Sequence, residues 1–129
     1  MFGWAMFAES IEELVRRLRP YIPFSALNTV WRKLDKSSKT ILDVGCGKGE
    51  PMAFINRHGR FKAVGIDIFR PYLVEARRKG VYHDLILGDV RFLPFKDKSF
   101  DAVICMEVLE HLEKEDGEKL LLELERVVK

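Results

Sequence analysis

The chain has 129 residues, 47% hydrophobic and 33% charged, a balance that suits a globular fold with a real core and excludes a disordered or fibrous chain. Its formal net charge of +2, with a pI of about 8.6, is too mild to announce nucleic acid or an anionic membrane as the main partner.

At the start, Met1 to Phe7 is followed by Glu9, Glu12 and Glu13 instead of a cleavage site, and no apolar run approaches the roughly 20 residues that span a bilayer. Neither secretion nor membrane insertion is expected. Residues 10–19 carry Ile11, Leu14, Val15 and Leu18 at helical spacing, with Ser10 as N-cap, and Pro20 closes the helix. A second amphipathic stretch follows Pro23, with Ser25 as cap and Leu27, Val30, Trp31 and Leu34 on one face. Residues 1–38 therefore read as an N-terminal helical cap, and residues 39–129 as the main domain.

From Lys39 the rhythm changes to short apolar runs separated by helical patterns. Strands are expected at 40–44, 62–66, 84–87 and 101–105, with helices at 52–57 and 71–79 between the first three. Alternation of this kind makes βαβ units, whose right-handed crossovers give a parallel sheet: an α/β fold. Residues 117–129 form a last helix, with Leu120, Leu121, Leu124, Val127 and Val128 on a broad apolar stripe. Charge is modestly polarised, eight acidic residues against three basic ones from Glu107 to Arg126, while basic residues gather at Arg57, Arg60, Lys62 and 77–79. Solvated faces account for both.

The run Thr40-Ile-Leu-Asp-Val-Gly-Cys-Gly-Lys-Gly49 reads as a buried strand emptying into a glycine-rich turn, where backbone can approach a ligand closely. In an open parallel sheet the ligand crevice lies beyond the carboxyl ends of the strands, so the turn 45–49, Asp67, the segment 88–90 and Met106-Glu107 should converge. Asp67 lies about where an acid that hydrogen-bonds a ribose should be, roughly 20 residues after the first glycine. The pyrophosphate fingerprint Gly-x-Gly-x-x-Gly is not met, because Glu50 stands where the last glycine belongs, and a carboxylate there repels phosphate. An NAD-binding fragment is thereby disfavoured. Asp43, inside an apolar strand, needs partners. Cys46 and Cys105 form no Cys-x-x-Cys pair or Cys/His cluster, so no disulfide framework or metal site is expected and a reducing, cytoplasmic setting fits.

Four segments in order, Ile41-Leu-Asp-Val-Gly-Cys-Gly-Lys-Gly49, Gly65-Ile-Asp-Ile68, Gly88-Asp-Val-Arg-Phe-Leu-Pro-Phe95 and Ser99-Phe-Asp-Ala-Val-Ile-Cys-Met-Glu-Val-Leu-Glu-His-Leu112, resemble the successive motifs of class I S-adenosylmethionine-dependent methyltransferases, particularly the small-molecule, quinone-biosynthesis type. The resemblance covers residues 38–129 and implies a Rossmann-like methyltransferase fold. It also implies that the turn Gly45, Cys46, Gly47 and Gly49 lies against the methionine half of the cofactor, with Asp43 reaching its amino group. By the same resemblance Asp67 takes the ribose hydroxyls, Ile68 packs on the adenine, Asp89 accepts from the adenine amino group and the Val90 amide meets a ring nitrogen. Met106 and Glu107 would border the methionine and the acceptor entrance. Transfer from a sulfonium needs chiefly alignment and exclusion of water; where a base helps, Glu107, Glu110 and His111 are the nearest candidates, while His111, Cys46 and Cys105 each have a plain packing role as the alternative.

Members of that family continue into three more strands, so the sheet is expected to be incomplete, with about four strands and 101–105 as an apolar edge. A second copy, a partner subunit or the N-terminal helices should cover it. Two functions follow: a methyltransferase acting on a small-molecule acceptor, with no nucleic acid or membrane partner, or a non-catalytic S-adenosylmethionine-binding remnant or subunit without the acceptor half.

Overall fold

A computed structural model describes residues 26–129; the helix expected at 10–19 and the caps Ser10 and Ser25 lie outside the described residues. The chain divides into two compact units, Met1–Leu34 and Asp35–Lys129. Helix α1 (Ala26–Lys33) belongs to the first and shows the expected stripe, with Leu27, Val30, Trp31 and Leu34 half-buried while Thr29, Arg32 and Lys33 are exposed.

The second unit runs β1 (Thr40–Val44), α2 (Glu50–Ile55), β2 (Lys62–Asp67), α3 (Arg70–Arg78), β3 (Asp84–Leu87), β4 (Ala102–Cys105) and α4 (Lys114–Val127), with a 3-10 turn at Leu109–His111 before α4. Its strands form one sheet in the order β3-β2-β1-β4, every neighbour parallel. The four strands stand where the apolar runs place them. Helix ends shift: α2 begins at Glu50, two residues ahead of the expected start, because Pro51 is pre-set for a first helical turn, and α4 opens at Lys114 with Glu115 and Asp116 at its positive end. Gly117 lies inside α4, not at its start.

Period-two alternation assigns the two faces of the sheet. Leu42, Val44 and Ile66 join Leu93, Phe100, Leu120 and Val127 in the core under α4. Ile41, Asp43, Ala63 and Gly65 point to the opposite face, where Met52, Phe54, Ile55, Leu73 and Ala76 of α2 and α3 are buried. Fully burying side chains such as Leu120 and Val127 stabilises the docking of α4 by about 1.5–3 kcal/mol each. Polar pins add direction: Arg126 donates to the Leu93 and Phe95 carbonyls at 3.0 and 2.7 Å, and Glu123 accepts from the Leu93 amide at 2.7 Å. The long β3–β4 connection is thereby strapped to α4.

β4 forms an edge, as expected. Asp101 binds its start to β1 by accepting from the amides of Lys39 and Thr40, both at 2.9 Å. At Phe100 the edge is met by the end of the chain, where the Phe100 amide donates to the Val127 carbonyl and the Lys129 amide to the Phe100 carbonyl, at 3.1 and 2.9 Å. Among the described residues nothing pairs with the outer side of Ala102–Cys105.

Candidate cofactor site

Strand order reverses between β1 and β4, so the crevice belongs at their carboxyl ends. Two loops meet there: the glycine turn after β1 and the segment 106–111 after β4. They touch, since a Cβ placed on Gly45 would run into Val108 Cγ2.

The turn is anchored before it leaves the sheet. The Gly45 and Cys46 amides both donate to the Ile66 carbonyl, at 2.9 and 3.0 Å, and Gly49 closes the turn by donating to the Cys46 carbonyl at 3.0 Å. All three glycines have positive φ, 68°, 54° and 81° at positions 45, 47 and 49, the conformation that side chains disfavour. Their surroundings differ. Gly49 must be small because Tyr82 Cε2 would stand 2.8 Å from its Cβ, and Gly45 because of Val108; only Gly47 has open space on its Cα. The sequence assigns all three glycines to a ligand's approach. In the structure Gly47 has open space at its Cα, while Gly45 and Gly49 are closely packed.

Asp67, at the end of β2, joins the second motif to the first. Its Oδ2 accepts from the Gly47 amide and its Oδ1 from the Phe69 amide, each at 2.9 Å. A carboxylate has about four lone-pair sites, so two remain for hydroxyl donors. Asp43, on β1, is only 3% exposed and accepts at Oδ2 from the Tyr82 hydroxyl at 2.6 Å. Burial pushes its carboxyl up to about 6; the Tyr82 hydrogen bond opposes that shift and the charge of Asp67 adds to it. Cys46 is buried and its thiol lies 3.8 Å from the Gly47 carbonyl; burial pushes it up to about 12, so it is a packed thiol and no nucleophile. Burial likewise pushes Cys105 up to about 11.

Beyond β2, Ile68 is 70% exposed and Phe69 49%, an apolar shelf beside Asp67, with Phe69 edge-on to Tyr72 at 4.7 Å. Beyond β3, Asp89 differs from expectation in being already engaged. Arg91 donates to it from its backbone amide at 2.9 Å and from its guanidinium at 2.6–3.1 Å, while also reaching Asp116 of α4 at 3.0 Å. Arg91 holds the Asp89 carboxyl below the usual carboxylate range. The neighbouring Val90 amide donates to no acceptor among the described residues. After β4, Met106 is half-buried while Glu107, Glu110 and His111 are exposed. Glu107 adopts φ 56°, a left-handed conformation that costs a residue with a side chain energy.

Asp43, the turn, Asp67, Ile68 and Val90 therefore stand at the carboxyl ends of three adjacent strands, with Met106 after the fourth. Sequence reasoning missed Tyr82. Its only signal was negative: Gly65 and Ala76, small residues at buried positions of a strand and a helix, left room that some large side chain had to fill. Among the described residues no group of His, Cys, Asp or Glu could hold a metal ion, and no helix is long and apolar enough to cross a membrane.

The fold is that of class I S-adenosylmethionine-dependent methyltransferases, and the chain belongs to the methyltransferase domain family, whose profile matches residues 42–129. It is 36% identical over 100 residues to 24-methylenesterol C-methyltransferase 2 of Arabidopsis thaliana, which takes in 73% of this chain and 27% of that protein. Over 73 residues it is 38% identical to the 18S rRNA (guanine-N(7))-methyltransferase of Bos taurus, 56% of this chain and 26% of that one. The chain thus spans about a quarter of the length of either relative. Among solved structures, the PH0226 protein of Pyrococcus horikoshii superposes with a TM-score of 0.71 at 28% identity, covering 91% of this chain and 61% of that one.

Proposed function

We propose that the protein binds S-adenosylmethionine in this crevice and transfers its methyl group to a small-molecule acceptor. The observation that carries the reading is the convergence of Asp43, Gly47 and Asp67: a nearly buried acid, an open glycine and a second acid hydrogen-bonded to that glycine at 2.9 Å.

The residues present fit the cofactor. Asp43 accepts a single hydrogen bond among the described residues, and a buried carboxylate so sparsely satisfied suits an ammonium group with three donors. Gly47 lets the methionine chain lie on the backbone. The free lone pairs of Asp67 match two ribose hydroxyls, the Ile68 shelf matches the adenine face and the unengaged Val90 amide matches a ring nitrogen. Asp89 can accept from the adenine amino group only while sharing its carboxylate with Arg91. The cofactor supplies an activated methyl group; this chain's residues bind it, hold it in line and exclude water. Met106 and Glu107 border the acceptor entrance, with Glu107, Glu110 and His111 available as bases from exposed positions.

The relatives act on different acceptors by name, a sterol in one and ribosomal RNA in another. The mild net charge favours the small-molecule reading. A second copy or a partner subunit covering β4 would complete the acceptor side, since an open strand edge is a ready surface for pairing. A cytoplasmic location suits both free cysteines.

Calorimetry with S-adenosylmethionine, S-adenosylhomocysteine and NAD tests the crevice: saturable binding of the first two and none of NAD is expected. Labelled methyl transfer from S-adenosylmethionine to a pool of small metabolites, with total RNA as the comparison, then separates an enzyme from a module that only binds. Label entering RNA alone would overturn the acceptor class.

A further inference from the structure

Tyr82 belongs to none of the four motifs. It lies in the short connection between α3 and β3, yet its hydroxyl ends 2.6 Å from Asp43 Oδ2. The ring gets there through a slot made of missing side chains. A Cβ on Gly65 of β2 would stand 2.9 Å from Tyr82 Cε1, and one on Gly49 would stand 2.8 Å from Cε2 and 3.3 Å from Ala76 Cβ of α3. A strand and the glycine turn each give up volume at one point, and the volume goes to one aromatic ring. A ring held on both sides has few rotamers, so its hydroxyl is confined to the neighbourhood of Asp43 Oδ2 and the Cys46 thiol.

We propose that Tyr82 is a positioning residue of the cofactor site: by donating to Oδ2 it fixes the Asp43 carboxylate in the orientation and the ionised form that the ligand's ammonium group requires, and so sets the acid limit of cofactor binding. The inference rests on the cofactor reading above, in which Asp43 meets that ammonium.

Its physics is a contest among the groups facing Asp43. Burial favours the neutral carboxyl, and the Asp67 carboxylate at the end of β2 acts the same way. The Cys46 thiol in the turn and the Cys105 thiol on β4 are raised by burial and then by the Asp43 charge and stay neutral, so they do not stabilise it. Among the described residues Tyr82 alone favours the charged form. It cannot trade protons with Asp43, because burial and the adjacent carboxylate hold its phenol far above the ordinary tyrosine range. A donor that never ionises beside a buried acid is a fixed support.

The test uses the full chain and S-adenosylhomocysteine, which keeps the ammonium and cannot transfer a methyl group, titrated calorimetrically from pH 5 to 8.5. Wild type should lose up to tenfold in affinity for each pH unit below a midpoint near 6, where Asp43 takes up a proton. Tyr82→Phe keeps the ring and should move that midpoint upward by roughly one to two units, the order of one hydrogen bond to a charged group. Asp43→Asn should flatten the profile, and adding Tyr82→Phe to it should change the pH dependence no further. Carboxyl carbon NMR of Asp43 reads the same midpoint without ligand. If Tyr82→Phe fails to fold, replacing tyrosine by 3-fluorotyrosine strengthens the donor and should move the midpoint down. An unmoved Asp43 midpoint in the variant that folds overturns the inference while leaving cofactor binding intact. Wild type that binds no S-adenosylhomocysteine at any pH overturns the cofactor reading and this inference with it.

Discussion

The central β1–β2 part of the crevice and its two flanks, after β3 and after β4, are built differently. On the first, backbone ladders run on into the glycine turn, Asp67 ties that turn to the end of β2, and Asp43 is 3% exposed against a ring held in a slot. On the second, the acids are exposed or engaged with one another's partners: Asp89 belongs to Arg91, while Glu107, Glu110 and His111 face solvent. On the function proposed above, the contrast follows the chemistry. An activated donor has one structure and rewards a rigid mould, whereas acceptors vary and are met by loops.

The largest effect should come from breaking the mould itself. Gly49→Val puts branched carbons where Tyr82 and Ala76 already stand, at φ 81°, and is expected to cost about 3 kcal/mol or more of stability. Gly47→Ala, two residues away at φ 54° with open space around it, should cost about 1 kcal/mol. Urea denaturation of the pair measures both. Equal losses would mean that the turn responds only to backbone strain and that the Tyr82 slot has no packing role.

Next is a substitution in which stability and binding should move in opposite directions. The Asp43 carboxyl is raised from 3.8 to about 6, so the folded state holds its proton more tightly than the unfolded chain does. Its contribution is therefore most favourable below about pH 4, declines as pH rises through 4 to 6, and is a full penalty above that window. Asp43→Asn removes the penalty and keeps an acceptor for Tyr82. It should stabilise the ligand-free protein by about 3 kcal/mol at pH 8 and by almost nothing at pH 4, while weakening cofactor binding 10- to 100-fold. Denaturation at the two pH values, beside calorimetry at pH 8, reads the opposition. Loss of stability at pH 8 would place the value of Asp43 in the fold rather than in the site.

Asp67→Ala should be milder, weakening cofactor binding by roughly 1 to 2 kcal/mol, because it removes acceptors for ribose and releases the Gly47 amide but leaves the Ile66 anchor of the turn. An unchanged dissociation constant would contradict the ribose assignment.

The rigid side was also the legible one. A glycine must sit at a positive φ and an acid inside an apolar strand must find a partner, so Thr40 to Gly49 and Asp67 declare themselves through backbone demands that no neighbour can relax. The parallel sheet followed for the same local reason, from apolar runs alternating with helical ones. What the sequence hid was long-range. Nothing near Tyr82 says that its hydroxyl meets a residue 39 positions earlier, and nothing near Asp89 says that Arg91 will bridge it to Asp116 on α4. Helix starts slipped by two or three residues because proline and acids open a first turn before any apolar period begins.

The smallest expected effect probes the loose side. Glu107 is exposed and left-handed at φ 56°, a conformation that costs a residue with a Cβ about 1 kcal/mol and glycine almost nothing. Glu107→Gly should therefore gain about 0.5 kcal/mol of stability, the relief of strain being partly offset by the wider freedom of glycine in the unfolded chain. Cofactor affinity should stay within twofold of wild type, since this side does not mould the donor. Any change should fall on the transfer rate, through the loss of a candidate base at the acceptor entrance. A loss of stability would instead mean that the Glu107 side chain holds its loop, and the acceptor side would then have to be counted as built to the same standard as the turn around Gly47.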